Sequence, residues 1–136
     1  MVGMDRFRPW FYAAAAYNLL WGAWVAVFPQ AIFNLIHMKP PEPIAIWQCV
    51  GMMVLVYAPG YWLVARDPER YAPLVWIGLL GKTLGPVGFL FAALDGQLPW
   101  NFGWILVFND LVWHPAFWWF GLRFARSHKT SKRIAP

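Results

Sequence analysis

Four long runs of apolar residues, separated by short polar or proline-rich stretches, divide the chain. They cover roughly residues 9–28, 44–65, 72–94 and 102–120. A helix rises about 1.5 Å per residue, so a run of about 20 residues matches the ~30 Å hydrocarbon core of a membrane. The pattern predicts an all-α polytopic membrane protein, in which one domain forms a four-transmembrane-helix antiparallel bundle.

The stretches between the runs predict how these helices connect. Residues 31–38 are too short to span a membrane, and their apolar side chains Ile32, Phe33 and Ile36 fall on one side. This pattern indicates a short interfacial segment after the first helix. Residues 66–70 form a tight polar turn, so the second and third helices should be antiparallel neighbours.

Composition supports the membrane class. The chain is 60% hydrophobic and only 12% charged, whereas a soluble domain usually carries about 25% charged residues. The single cysteine, Cys49, excludes an intrachain disulfide. Because it lies in an apolar run, we expect it to be a small buried side chain.

The net charge of +5 gives orientation rather than a nucleic-acid partner. Nine of the eleven Lys and Arg residues lie in the N-terminal segment, the 66–70 turn and the basic tail 123–136. Basic residues collect on the cytoplasmic side of membrane proteins. Both termini are therefore predicted to be cytoplasmic, in a multi-pass protein of the bacterial inner membrane. The basic tail also favours anionic lipid.

The third apolar run contains a lysine at mid-membrane depth. Gly78, Gly81, Gly85 and Gly88 recur at spacings of three and four, and such a face lets neighbouring helix backbones approach closely. Lys82 lies at the edge of this face and should point into the bundle. A charge inside a membrane marks a functional-site hypothesis.

Asp110, in the fourth run, is the best partner for Lys82. Lys82 lies roughly 15 Å from the cytoplasmic side and Asp110 about 18–20 Å from it. A lysine reaches about 6 Å, which covers this difference. His114 follows one turn later on the same helical face, and Pro115 should bend the helix beside it.

One interpretation of the pair is purely architectural. An unpaired charge at the centre of a spanning helix costs about 2.5–3.5 kcal/mol, so Lys82 and Asp110 are expected to neutralise each other whatever the protein does. Asn109, Asn18 and Gln48 would then satisfy the remaining hydrogen bonds.

The functional interpretation is that the pair and His114 anchor the polar head of a lipophilic ligand, such as a quinone, a lipid or a pigment. Trp21 and Trp113 are deep enough to wall a planar ligand. A bundle this small also suits an accessory subunit of a larger membrane complex or a homo-oligomer. The rival class is a membrane enzyme or proton-coupled carrier, with Asp110 and His114 forming a carboxylate–imidazole relay.

Metal chemistry finds little support in the sequence. A bis-histidine haem site needs a second intramembrane histidine, but His37 is interfacial and His128 lies in the tail. No zinc-binding spacing and no Ser-His-Asp pattern occurs. No metal site is predicted.

Small residues and turns in four segments carry a resemblance to a known family. These segments are Leu20-Trp21-Gly22 with Phe28-Pro29, then Gly51-Met52, then Ala65-Arg66-Asp67-Pro68, and the glycine-rich third run. With them the chain resembles small four-helix membrane proteins of the broad DoxX-like group. The resemblance implies the four-helix membrane fold and, for some members, an association with quinone-linked redox systems. It assigns no role to Lys82, Asp110 or His114.

Overall fold

A computed structural model describes the backbone of residues 3–134 and the side chains of residues 3–127. Within these residues the chain forms helices and no strand, which confirms the all-α class. The predicted basic tail beyond residue 127 lies outside the described side chains. The α-helices are α1 (Arg8–Val27), α2 (Ala31–Leu35), α3 (Ala45–Arg66), α4 (Ala72–Leu94), α5 (Gly103–Asn109) and α6 (His114–Ile134), and 3-10 turns cover Met4–Phe7, Trp100–Phe102 and Leu111–Trp113.

The first three long helices follow the predicted runs to within one residue at each end. Prolines at Pro9 and Pro73 lie in the first turns of α1 and α4, where their missing N–H costs nothing. In the described part of the chain, α3 and α4 are the two helices that are both long enough and apolar enough to cross a membrane. That finding rests on length and composition.

The fourth run is interrupted, so the prediction of one continuous helix over 102–120 is wrong. α5 ends before Asp110, whose φ of −121° and ψ of −60° lie outside the helical range. A 3-10 turn follows, and α6 begins at His114 and continues to Ile134. Pro115 lacks the N–H that a continuous helix would need, but it fits the first turn of a new helix. The predicted bend at Pro115 is thus an interruption that begins five residues earlier.

α1 and α3 form the most extensive helix–helix contact among the described residues. These helices run antiparallel, and Gly22 faces Gly51 where they cross. A Cβ atom built on Gly22 would lie 2.6 Å from the Gly51 carbonyl oxygen, and one built on Gly51 would lie 2.9 Å from the Gly22 carbonyl oxygen. Only glycine at both positions allows the two backbones to pack at this distance.

An aromatic core joins α1, α3 and α6 at the end of the bundle that contains the N-terminus. The Phe11 and Phe117 rings lie 5.2 Å apart, and the Phe7 and Phe120 rings 5.4 Å apart. Tyr61 of α3 packs edge-on against Phe117 at 5.1 Å. These contacts place α6 against both α1 and α3, which closes the bundle.

At the opposite end, the short segment predicted after α1 forms helix α2. Its Phe33 is buried and contacts Trp47 of α3, with ring centroids 5.1 Å apart. Trp47 also contacts Trp21 at 6.0 Å and Phe102 at 5.8 Å. The tryptophan therefore occupies the centre of a second aromatic core that covers this end of the bundle.

Cys49 is exposed, so the prediction of a buried thiol is wrong. The packed face of α3 near its start is set by Trp47, Gly51 and Ala58, which recur at helical spacing and are buried. Cys49 falls between these positions and faces outward.

Candidate functional site

Lys82 of α4 meets Asp110 at the interruption of the fourth run. The distance from Lys82 Nζ to Asp110 Oδ1 is 3.6 Å, and the two residues are only 5% and 6% exposed. The predicted buried pair is therefore confirmed.

The lysine also satisfies a backbone carbonyl that the interruption sets free. Trp113 donates its N–H to the carbonyl of Asp110, three residues back, rather than to that of Asn109, four residues back. Lys82 Nζ instead donates to the Asn109 carbonyl oxygen at 2.5 Å. The Asn109 side chain donates to Asp110 Oδ1 at 3.1 Å. The ammonium thus occupies the place of a missing helical N–H donor.

His114, in turn, satisfies a backbone carbonyl that is left free in α4. Pro86 lies four residues after Lys82 and has no N–H, so it cannot donate to the Lys82 carbonyl. The distance from His114 Nε2 to that carbonyl oxygen is 3.1 Å. Since a carbonyl oxygen only accepts, Nε2 carries the proton. His114 therefore bonds to α4 rather than to the Asp110 carboxylate, with which the predicted relay would have paired it.

Four side chains connect α4 and the fourth run, and we call them the polar cluster: Lys82, Asn109, Asp110 and His114. A side chain of α4 satisfies the freed carbonyl of the fourth run, and a side chain of the fourth run satisfies the freed carbonyl of α4. An unsatisfied buried carbonyl costs about 1–3 kcal/mol, so each half of the exchange stabilises the contact between the two segments.

This exchange predicts that His114 and Pro86 are energetically coupled although no hydrogen bond joins them. We expect His114→Phe to lower the free energy of unfolding by about 1–3 kcal/mol, because it leaves the Lys82 carbonyl without a donor. In a Pro86→Ala background, the new backbone N–H can bond that carbonyl, and the same change should cost much less. Unfolding of the four variants in detergent would measure the coupling. Equal costs in both backgrounds would contradict the proposed exchange.

The glycines of α4 give space to polar side chains rather than to another backbone. A Cβ atom on Gly78 would lie 2.5 Å from the Tyr61 hydroxyl oxygen, and one on Gly85 would lie 3.1 Å from Asp110 Oδ2. A Cβ on Gly88 would contact nothing within 4 Å. The predicted close backbone contact along this face is therefore wrong. Tyr61 was not identified from the sequence as a neighbour of this face, although its hydroxyl lies against Gly78.

Three other residues that were predicted to belong to the site have different roles in the structure. Gln48 donates to the carbonyl of Ala26 at 2.9 Å, which ties the start of α3 to the end of α1. Trp21 belongs to the aromatic core around Trp47. Trp113 is buried in the other core and donates to the Phe108 carbonyl at 3.2 Å. The structure does not bring the two tryptophans together as walls of one pocket.

Asn18 is buried in α1 at 2% exposure. Its Oδ1 has no hydrogen-bond partner among the described residues, and the same holds for Asn109 Oδ1 and the indole N–H of Trp47. The predicted role of Asn18, to complete the hydrogen bonds of the cluster, is therefore not seen.

An apolar groove of about 460 Å³ lies between α4 and α5. Asp110 does not line the groove, but Leu111, the next residue in the chain, does. The position of a Cβ on Gly85 is 3.5 Å from Leu106 in the groove wall and 3.1 Å from Asp110 Oδ2. The buried carboxylate therefore lies behind the groove wall. The groove is lined by Pro86, Phe89, Leu90, Trp100, Gly103, Trp104, Leu106, Val107 and Leu111.

Comparison with known proteins adds no assignment to this geometry. The resemblance to the DoxX-like group stays a prediction from the residues that carry it. No family model, curated protein or solved structure matches the chain.

Proposed function

We propose that this protein spans a membrane four times with both termini on the cytoplasmic side, and that it binds a lipophilic molecule in the groove between α4 and α5. The observation that carries the proposal is an apolar groove with a buried carboxylate, that of Asp110, behind its wall. The bound molecule would have an apolar body and a polar end, as a quinone, a lipid or a pigment has.

The outward-facing surface supports the membrane setting. Only 28% of the most apolar stretch of α3 and 22% of that of α4 is buried, whereas the core helix of a soluble protein is mostly buried. Large apolar side chains are also exposed on α1 and on the fourth run, for example Leu20 and Phe108. Soluble monomers rarely expose contiguous apolar patches of this kind, and lipid would cover them.

The groove has the size and polarity of a ligand site. Small-molecule sites are about 300–1,000 Å³, largely apolar, with a few placed polar groups. Lys82 and Asn109 engage Asp110 Oδ1, and Oδ2 lies behind the groove wall, 3.1 Å from the position of a Cβ on Gly85. A hydroxyl on a ligand could donate to Oδ2. An ammonium carries three protons, so Lys82 retains a donor for a ligand carbonyl.

Two other readings are less well supported. His114 bonds to a backbone carbonyl, which favours ligand binding over a direct proton relay with Asp110. The exposed apolar surface would also suit an accessory subunit of a membrane complex or a homo-oligomer. The purification described next also tests for such a partner protein.

A tryptophan placed in the groove should abolish ligand binding. Val107 lines the groove and Val87 faces outward from α4 without lining it, so Val107→Trp and Val87→Trp are a matched pair. After mild detergent purification, mass spectrometry of the extract should find a lipophilic compound at near-stoichiometric amount with the unmodified protein and Val87→Trp. We expect at least a tenfold loss with Val107→Trp, because the indole fills the space.

Two results would contradict the proposal. Equal retention by both variants would show that the groove is not the site. Recovery of a stoichiometric partner protein and no enriched lipophilic compound would favour the accessory subunit.

A further inference from the structure

The turn between α3 and α4 forms a second cavity, at the end of the bundle that contains the N-terminus. We propose that this turn binds the phosphate group of an anionic phospholipid. The proposal rests on the membrane setting proposed above and is independent of the groove. The cavity measures about 390 Å³ and is lined by Leu63, Arg66, Asp67, Arg70 and Tyr71.

Two guanidinium groups at this cavity are held by aromatic rings. Arg66 Cζ lies 4.9 Å from the centroid of the Trp62 ring, and Arg70 Cζ lies 5.4 Å from that of Tyr71. Neither arginine forms a salt bridge with a carboxylate among residues 3–127. Cation–π contacts hold a guanidinium in place without neutralising its charge. Both arginines therefore keep their hydrogen-bond donors for an anion.

Asp67 is the one acid in the cavity wall. Its Oδ1 accepts the backbone N–H of Arg70 at 3.2 Å, which directs one carboxylate oxygen into the turn itself. Two guanidiniums against one carboxylate leave the wall with a net positive charge. Arginine is suited to phosphate because its planar group donates two parallel hydrogen bonds to the oxygens.

The surroundings favour a lipid over a free phosphate. Trp62 is exposed beside the cavity, as expected of an aromatic anchor at a membrane interface. Leu63 supplies an apolar wall, and exposed apolar residues of α3 such as Val56 continue along the helix. An acyl chain can therefore follow α3 while the phosphate stays at the arginines. Anionic lipids also concentrate at basic cytoplasmic surfaces.

The test measures phosphatidylglycerol binding to the purified protein in neutral detergent by native mass spectrometry. Phosphatidylcholine with matched acyl chains and inorganic phosphate serve as comparison ligands. Each basic residue near an anionic lipid contributes about a fivefold factor, so Arg66→Gln with Arg70→Gln should weaken phosphatidylglycerol binding about thirtyfold. The control, Arg8→Gln with Arg123→Gln, removes the same charge from the same end and should change binding less than threefold.

Further variants separate this site from charge, folding and the groove. Arg66→Lys with Arg70→Lys keeps the charge but loses the parallel donors of the guanidinium groups. This variant should bind phosphatidylglycerol at an intermediate level. Val107→Trp should bind phosphatidylglycerol normally, since it alters the groove alone. Equal weakening in both charge-matched double variants would overturn the site. Binding of inorganic phosphate without any preference for phosphatidylglycerol over phosphatidylcholine would overturn the lipid assignment. Circular dichroism of each variant checks that its helices are intact.

Discussion

Replacing Lys82 with methionine is expected to lower the free energy of unfolding by about 3–5 kcal/mol, because it leaves the buried Asp110 carboxylate without its partner. Lys82 Nζ also donates to the Asn109 carbonyl, so the variant loses a backbone hydrogen bond as well as an ion pair. Denaturation in a mild detergent, followed by tryptophan fluorescence, would measure the loss.

The double variant Lys82→Met with Asp110→Leu should recover much of this loss, since apolar groups then replace both charges. Recovery should be incomplete by about 1–3 kcal/mol, because the Asn109 carbonyl still lacks a donor. As a control, Lys39→Met breaks the exposed pair with Glu42 and should change stability little, since exposed pairs contribute little. Additive losses in the buried double variant would show that Lys82 and Asp110 do not interact.

The second large effect is expected at the crossing of α1 and α3. A Cβ on Gly22 would lie 2.6 Å from the Gly51 carbonyl oxygen and 2.8 Å from the backbone nitrogen of Leu55. Backbone atoms cannot rotate away as a side chain can, so Gly22→Ala must push the helices apart. We expect a loss of about 1–3 kcal/mol for this overpacking, and a larger loss for Gly22→Leu.

Gly88→Ala is the matched control for this prediction, because a Cβ there meets nothing within 4 Å. Alanine is a better helix former than glycine by about 1 kcal/mol, so this change should be neutral or slightly stabilising. Thermal unfolding of the two alanine variants under the same conditions gives the comparison. A similar midpoint for both would mean that the helices adjust at Gly22 without cost.

The Lys82–Asp110 pair could be predicted because helix geometry is regular. A constant rise per residue converts sequence position into depth, so the two charges could be placed at similar heights before any contact was known. The same regularity fixed the bounds of α1, α3 and α4. Both predictions need only the spacing of residues along one segment.

The interruption at Asp110 could not be predicted in this way. Apolar spacing continues through residues 102–120, and nothing in that pattern records which backbone carbonyls find donors. The interruption is stable because Lys82, on another helix, bonds the Asn109 carbonyl. On α4, the position of Pro86 does predict that the carbonyl of Lys82 lacks its helical donor. The sequence does not show which group replaces that donor, because His114 lies 28 residues after Pro86.

Glycine spacing has a similar limit. It identifies a bare helix face but not what fills it. On α4 the space is taken by the ends of Tyr61 and Asp110, whereas the close backbone contact occurs at Gly22 and Gly51. Trp47 shows the same for aromatic residues. Tryptophans near the ends of spanning helices are typical interfacial anchors, yet Trp47 is covered by Phe33 of α2.

In the membrane setting proposed above, the reciprocal hydrogen bonds of the polar cluster bear on how the chain would enter a bilayer during synthesis. α4 alone would enter with a bare lysine and a freed carbonyl, and the following segment with a bare aspartate, each charge costing about 2.5–3.5 kcal/mol. The turn that joins them is short, and Gly96 adopts a φ of 72° within it. The two segments can therefore pair before they leave the insertion machinery. Entry as one helical hairpin would spare the lipid from solvating either charge, so we expect the second half of a membrane-inserted chain to enter as a unit.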